Sequence, residues 1–330
     1  MQTAPTLAID GLSIDYATPA GSLKALRDVS LDIARGEIVG LVGESGCGKS
    51  TLMQSVLRLL PDAARPRGGA IRFMGEDLLD MPPRRMRSIL GDRISVVFQD
   101  PMRTLNPVLT IGRQMIDIQY RRREPQRAKR ARAVTMLQRV RIPDPETRID
   151  QYPHQLSGGM RQRIAIAMAL MAEPDLLIAD EPTTALDATL EIATINLLRE
   201  LQQEIGCAIL FITHHLGVVA ELCDRMDIMY AGELVESGPT DAVFGNPRHP
   251  YTQLLLACDP AQIAEQTRHL PSIGGGLPSL IDLPDGCVFA DRCPLVQGIC
   301  RRERPAPRAA GASGLVRCHF ADAPPLEVQS

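Results

Sequence analysis

At 330 residues the chain is longer than a single hydrophobic core usually grows, so one main domain with an embedded or appended smaller one is expected. Hydrophobic residues make up 45%, charged residues 23%, and the formal net charge is -3; this excludes a disordered chain and a strongly nucleic-acid-binding one, and names no partner by charge. Met1 to Gly11 hold neither a basic nor an apolar leader, and no later stretch reaches the roughly 18 consecutive apolar residues of a membrane span. The chain is therefore expected to stay in the cytoplasm, with any membrane part supplied by other polypeptides.

In chain order, Leu7 to Tyr16 and Ala25 to Ile33 alternate apolar and polar residues around Gly21-Ser22, which predicts an antiparallel side sheet. Apolar runs at Ile38 to Val42, Ser95 to Phe98, Leu176 to Ala179 and Ala208 to Ile212, interleaved with helical patterns, read as strands of a parallel sheet covered on both faces. The fold class is α/β. From Pro101 to about Gln155 helical segments take over, near Ile111 to Tyr120 and Arg127 to Val140, and predict an inserted helical subdomain at about 101–165. Its basic run, Arg121 to Arg123 with Arg127, Lys129, Arg130 and Arg132, reads as a solvated helix face with an acidic neighbour or two, the alternative being contact with lipid head groups or a partner subunit. Beyond Gly245, 11 of the 26 prolines fall in the last 85 residues and Gly274-Gly275-Gly276 interrupts any periodicity. This tail reads as loop-rich and separate from the core.

Gly43-Glu44-Ser45-Gly46-Cys47-Gly48-Lys49-Ser50 fits G-x-x-x-x-G-K-[ST], directly after the strand Ile38 to Val42 and opening a helix predicted to run to about Leu60, before Pro61. Glycines let the backbone wrap closely, so that N–H groups and the helix N-terminus point at phosphates. Lys49 brings positive charge to them and Ser50, with Thr51 beside it, reaches Mg²⁺. Nucleotide binding follows. A second buried strand ends in Asp180-Glu181, where Asp180 would hold the Mg²⁺ shell and Glu181 would polarise the attacking water. Gln99 and His214 end two further strands, and ligands of open α/β sheets gather at the C-terminal ends of strands.

Leu156-Ser157-Gly158-Gly159-Met160, followed by Arg161-Gln162-Arg163, resembles the signature motif of ABC ATPases. The order Tyr16, P-loop, Gln99, signature, Asp180-Glu181, Ala185-Leu186-Asp187, His214 resembles that family's full set over about residues 6 to 240. The resemblance implies a RecA-like P-loop NTPase core that hydrolyses ATP with Mg²⁺. In it Tyr16 stacks on adenine, Gly43, Ser45, Gly46, Cys47, Gly48, Lys49, Ser50 and Thr51 surround the nucleotide, and Ser50, Gln99 and Asp180 serve Mg²⁺. Glu181, His214 and Gln99 are the implied catalytic set. Ser157 and Gly159 would contact the ATP of a second cassette, and Asp187 is the D-loop residue. One departure is Thr213-His214-His215, where the family usually has Thr-His-Asp; the switch role falls to His214 by register.

The segment Gln99 to Pro107, together with His249-Pro250-Tyr251-Thr252 and the late cysteines, is similar to ATPase subunits of oligopeptide, dipeptide and nickel importers. This implies an ATPase domain over 1–245 and an importer-type extension over 246–330. It implies energising the uptake of peptides or related small solutes from the cytoplasmic face of the inner membrane. The implied partners are a second, related ATPase chain, two permease chains and an external solute-binding protein, with no nucleic acid. The alternative is a soluble ABC ATPase acting on ribosomes or DNA, although one cassette and no heptad run count against it.

Of eight cysteines, Cys47, Cys207, Cys223 and Cys258 read as inert small residues. Cys287, Cys293, Cys300 and Cys318 crowd the tail, and four thiolates suit Zn²⁺ or an iron–sulfur cluster alike. The resemblance to peptide-importer extensions implies a [4Fe-4S] cluster, ahead of zinc and of unmetallated thiols.

Overall fold

The computed structural model describes residues 4–100, 104–184, 186–259, 272–311, 314–324 and 326. Pro101, Met102, Arg103 and Ala185, which enter two of the family motifs, lie outside the described residues.

The strands are β1 (Leu7–Thr18), β2 (Gly21–Ile33), β3 (Ile38–Val42), β4 (Ala64–Phe73), β5 (Glu76–Asp77), β6 (Ile94–Val97), β7 (Leu176–Asp180), β8 (Ala208–Thr213), β9 (Arg225–Tyr230), β10 (Glu233–Pro239), β11 (Arg308–Ala310) and β12 (Gly314–Val316). The α-helices are α1 (Lys49–Leu57), α2 (Pro83–Ile89), α3 (Ile111–Asp117), α4 (Gln126–Arg139), α5 (Pro145–Arg148), α6 (Gly158–Leu170), α7 (Ala188–Ile205), α8 (Leu216–Leu222), α9 (Thr240–Gly245), α10 (Pro250–Ala257) and α11 (Gly298–Arg302). Two compact units result, one of Met1–Ile33, Glu37–Asp80 and Ile212–Ser330, the other of Ala34–Gly36 and Met81–Phe211. β8 carries the chain from the second back into the first.

In the first unit β1 pairs antiparallel with β2 and β4, giving the sheet order β2-β1-β4-β5. The expected alternation holds: Leu7, Ile9, Leu12 and Ile14 of β1 and Leu26, Val29, Leu31 and Ile33 of β2 are buried. β3, buried along its whole length, pairs parallel with β9. β10 and β12 then add antiparallel, with β11 beyond them. The expected parallel sheet is therefore mixed in this unit. The tail is loop-rich but not separate, because β12 hydrogen-bonds along β10. Two of its arginines seal the join, Arg304 on Glu233 at 2.9 Å and Arg317 on Asp28 at 2.7 Å.

Helix α1 stops at Leu57, short of Leu60. Arg58 turns left-handed at φ 54 and its N–H bonds back to the carbonyls of Gln54 and Ser55. A left-handed residue ends a helix by satisfying its last carbonyls, so Pro61 is not needed for the stop. The start of α10 is built around one residue: the ring of buried His249 accepts the N–H of Tyr251 on Nδ1 at 3.0 Å while its backbone N–H donates to the Glu236 carboxylate at 2.9 Å. Burial pushes this imidazole down to about 3, which keeps it a neutral acceptor.

In the second unit β6 and β7 pair parallel, as read from their apolar runs. The basic run is a paired surface: Arg121 meets Asp92, Arg122 meets Glu173, Arg130 meets Asp150 and Arg132 meets Glu124. Exposed pairs of this kind stabilise little and mainly keep the helical face soluble.

In β9, Asp227 is 1% exposed and its nearest cation is Arg225 at 3.7 Å, shared with Asp32 and Glu37. Burial, only partly offset by Arg225, pushes its carboxyl up to about 6. In the unfolded chain the group ionises near pH ~4, so the folded state holds the extra proton between those limits and stability falls as pH rises through them. Buried His249 contributes the opposite slope in the same range, which makes the comparison with a variant the informative one. In urea unfolding from pH 4 to 7, Asp227→Asn is expected to gain stability relative to wild type as pH rises, by ~1–3 kcal/mol in all. Parallel curves for the two proteins would show a carboxylate already ionised throughout.

Candidate active site

The phosphate loop leaves β3 and is pressed against the backbone of its own unit. A Cβ at Gly43 would lie 2.2 Å from the Met229 carbonyl oxygen, and one at Gly48, where φ is +114, would lie 2.9 Å from that of Ala25. Only glycine fits either place. The loop turns directly into α1, so the first N–H groups of a nine-residue helix face the space the loop encloses.

Lys49 is 7% exposed, and its ammonium donates to the carbonyls of Gly43 at 2.6 Å and Glu44 at 3.1 Å. Among the described residues no carboxylate hydrogen-bonds to it. A buried cation held by neutral dipoles is poised for an anion, and a phosphate oxygen supplies the missing countercharge. Ser45, Gly46 and Ser50 are exposed along the same loop, and Cys47 is buried with its thiol raised by burial, 3.7 Å from the lysine nitrogen. Tyr16 on β1 brings its hydroxyl within 3.5 Å of Thr51 Oγ1 in the first turn of α1. His214, exposed at the end of β8, stands edge-on to His215 at 4.5 Å, and the Thr213 hydroxyl accepts the His215 N–H at 3.0 Å. Tyr16, the P-loop and His214 all belong to the first unit.

In the second unit β7 ends in Asp180, and the chain turns at Glu181 into a left-handed conformation with φ 44. Such a residue stores roughly 1–3 kcal/mol and persists only where its surroundings hold it. The Glu181 carboxylate accepts from Gln99 Nε2 at 2.9 Å and from the Thr184 hydroxyl at 3.2 Å. Two residues read from separate strand ends are thus in direct contact, and Thr184 joins them; nothing in the spacing of Thr184 marked it. Ser157 caps α6 by accepting the Met160 N–H at 3.3 Å, with Gly158 exposed beside it. Gly159 is buried, and a Cβ there would approach Leu190 at 3.0 Å. Asp187 caps α7 through the Leu190 N–H at 3.0 Å, so it has a local structural task besides the implied one.

In the tail, the Cys287 N–H donates to the Cys300 carbonyl at 2.7 Å and the Phe320 N–H to Cys318 Sγ at 3.3 Å. Burial above all pushes Cys287 up to about 12 and Cys293 to about 11; a backbone hydrogen bond at each sulfur opposes it and the neighbouring thiols add to it. The donor set has the softness a thiophilic centre needs. Even so, among the described residues no three His, Cys, Asp or Glu side chains form a metal-holding group. The expectation of a [4Fe-4S] cluster on Cys287, Cys293, Cys300 and Cys318 is not met by an assembled site.

A phosphate-binding P-loop after a buried strand, a strand-end acid pair and a helix capped by the signature motif define an ABC-type ATPase. Residues 26–184 match the ABC transporter family, and residues 235–300 match the oligopeptide/dipeptide transporter C-terminal region. The chain is 44% identical over 318 residues to the dipeptide transport ATP-binding protein DppD of Bacillus subtilis, covering 96% of this chain and 95% of that one. It is 42% identical over 315 residues to DppD of Escherichia coli, covering 95% and 96%. A solved dimeric ATP-binding cassette in a post-hydrolysis state, bound to ADP and Pi, superposes with TM-score 0.63 at 29% identity over 71% of this chain and 98% of that one. The chain belongs to the oligopeptide/dipeptide family of ABC transporter ATP-binding subunits, and it is an ATPase. Among the described residues no helix is long and apolar enough to cross a membrane. Nothing in these likenesses supports the ribosome or DNA alternative.

Gly48→Ala is expected to weaken Mg-ADP binding by at least about tenfold, since the added methyl and the positive φ both force the loop to move. Isothermal titration reads this directly; unchanged affinity would show a loop free to rearrange.

Proposed function

We propose that the chain binds Mg-ATP on its P-loop and, with Glu181 as general base, hydrolyses it to energise the import of peptides or related small solutes. The observation that carries this reading is the buried Lys49 ammonium, held by carbonyl oxygens where an anion would complete it. The names of the Bacillus and Escherichia relatives, both dipeptide transport ATP-binding proteins, support the substrate class.

In this reading Tyr16 stacks on the adenine. Gly43, Ser45, Gly46, Cys47, Gly48, Lys49, Ser50 and Thr51 enclose the phosphates. Ser50, Gln99 and Asp180 would hold Mg²⁺, which would supply charge neutralisation at the transferring phosphoryl group. Gln99, hydrogen-bonded to Glu181, positions the water. Glu181 takes its proton as the new P–O bond forms and the bond to the ADP oxygen breaks. His214 contacts the γ-phosphate. Ser157 and Gly159, at the N-terminus of α6, meet the ATP of a second cassette, and Asp187 faces the same junction. ATP then holds the two cassettes together and hydrolysis releases them.

The second cassette is a related chain, and both sit peripherally on the cytoplasmic face of the inner membrane, under two permeases served by an external binding protein. The ATPase domain spans 1–245 and the extension 246–330. Cys287, Cys293, Cys300 and Cys318 take up a [4Fe-4S] cluster, with zinc as the second choice, on the strength of four soft donors in one short segment.

Co-expression with its transporter partners and reconstitution with peptide-loaded binding protein tests the reading. Glu181→Gln is expected to lower kcat by at least about a hundredfold while Mg-ATP still binds. A variant as active as wild type would remove Glu181 from the chemistry. Anaerobic purification is expected to yield iron and acid-labile sulfide in equal amounts, lost when Cys293 is changed to Ser; iron-free protein from such a preparation would overturn the cluster.

A further inference from the structure

Glu44, the second residue of the P-loop, is held by all of its polar groups. Its N–H donates to the Tyr251 hydroxyl at 3.1 Å, and its carbonyl accepts from Lys49 at 3.1 Å. Its carboxylate takes a two-pronged ion pair from Arg292, at 2.9 and 3.1 Å. Arg292 comes from the tail, 248 residues along the chain. Its side chain is 6% exposed, and the rest of its fork is used as well. Nε donates to the Gly274 carbonyl at 2.9 Å, Nη2 to that of Ile273 at 3.1 Å, and Nη1 to the Tyr230 hydroxyl at 3.3 Å. No N–H of the guanidinium lacks an acceptor. Behind it Tyr230, Tyr251 and Phe289 pack ring against ring, with centroids 4.7 to 5.4 Å apart.

An exposed ion pair would mean little. In this one the guanidinium is buried while Glu44 stays 28% exposed; the pair is bidentate, every N–H of the arginine is used, and it ends on the loop that wraps the phosphates. We propose that Arg292 is a positioning residue for nucleotide binding: the tail sets the P-loop conformation through Glu44, so nucleotide affinity and docking of the tail are coupled. Reciprocity requires that bound nucleotide tighten the tail in turn. The proposal rests on the P-loop being the ATP site.

The full-length chain is titrated with Mg-ADP as wild type, Arg292→Gln, Glu44→Gln, the double variant and Lys49→Ala. Each of the first two substitutions is expected to weaken Mg-ADP by at least about fivefold, and the double variant to be no worse than either single. In steady-state assays of the assembled transporter, Arg292→Gln should raise the KM for ATP by a similar factor with a smaller change in kcat. Hydrogen exchange on the wild type should show amides 287–293 protected further when Mg-ADP is bound. Wild-type affinity in Arg292→Gln, additive losses in the double variant, or unchanged exchange over 287–293 would each overturn the coupling. Failure of wild type to bind Mg-ADP, or equal binding by Lys49→Ala, would instead overturn the ATP site. If Arg292→Gln does not fold, the exchange measurement on wild type still decides.

Discussion

One constraint that the first unit is built around is the approach of the P-loop backbone to the end of β9. With only 2.2 Å between a would-be Cβ at Gly43 and the Met229 carbonyl oxygen, the loop has no room for any other residue there. Several features follow from that contact. The loop is forced to wrap, Lys49 is folded back onto its carbonyls, and α1 begins at the point where the wrapping ends. β9 therefore supports the loop from below, and its last residue, Tyr230, opens the aromatic cluster that reaches the tail.

The second unit solves a different problem, how to keep a carboxylate at a strand end in one place. Glu181 is held at both levels, by a left-handed backbone and by two hydrogen bonds on its side chain. A freely rotating glutamate would spend most of its time elsewhere, and fixing one costs about 1–2 kcal/mol of side-chain entropy. Here that cost is met in folding.

What could be read from residues alone follows the range of the determinants. The P-loop, the acid pair after β7 and the cap at Ser157 depend on a few consecutive residues, so their pattern in the sequence is nearly complete. β9 escaped notice because Arg225 and Asp227 break an otherwise apolar strand, and their burial makes sense only with Asp32 and Glu37 beside them. Thr184 looks like any loop threonine until its hydroxyl is seen on Glu181. The pairing of Arg292 with Glu44 lay beyond reach for the same reason: each is an ordinary surface charge by type, and the tertiary fold alone brings them together. Proline and glycine content marked the tail correctly as irregular, yet composition says nothing about whether an irregular segment is docked.

The strand pairing of that tail has a further consequence. β10 is otherwise the last strand of its run, and an uncapped strand offers a row of open N–H and C=O groups to any other extended chain. β12 occupies part of that row, and the outermost position passes to β11, three residues long and carrying Arg308. A short, charged border is a poor template for intermolecular pairing. The tail thus acts as a selvedge for the sheet, limiting self-association of a protein whose work requires it to join other chains at chosen surfaces.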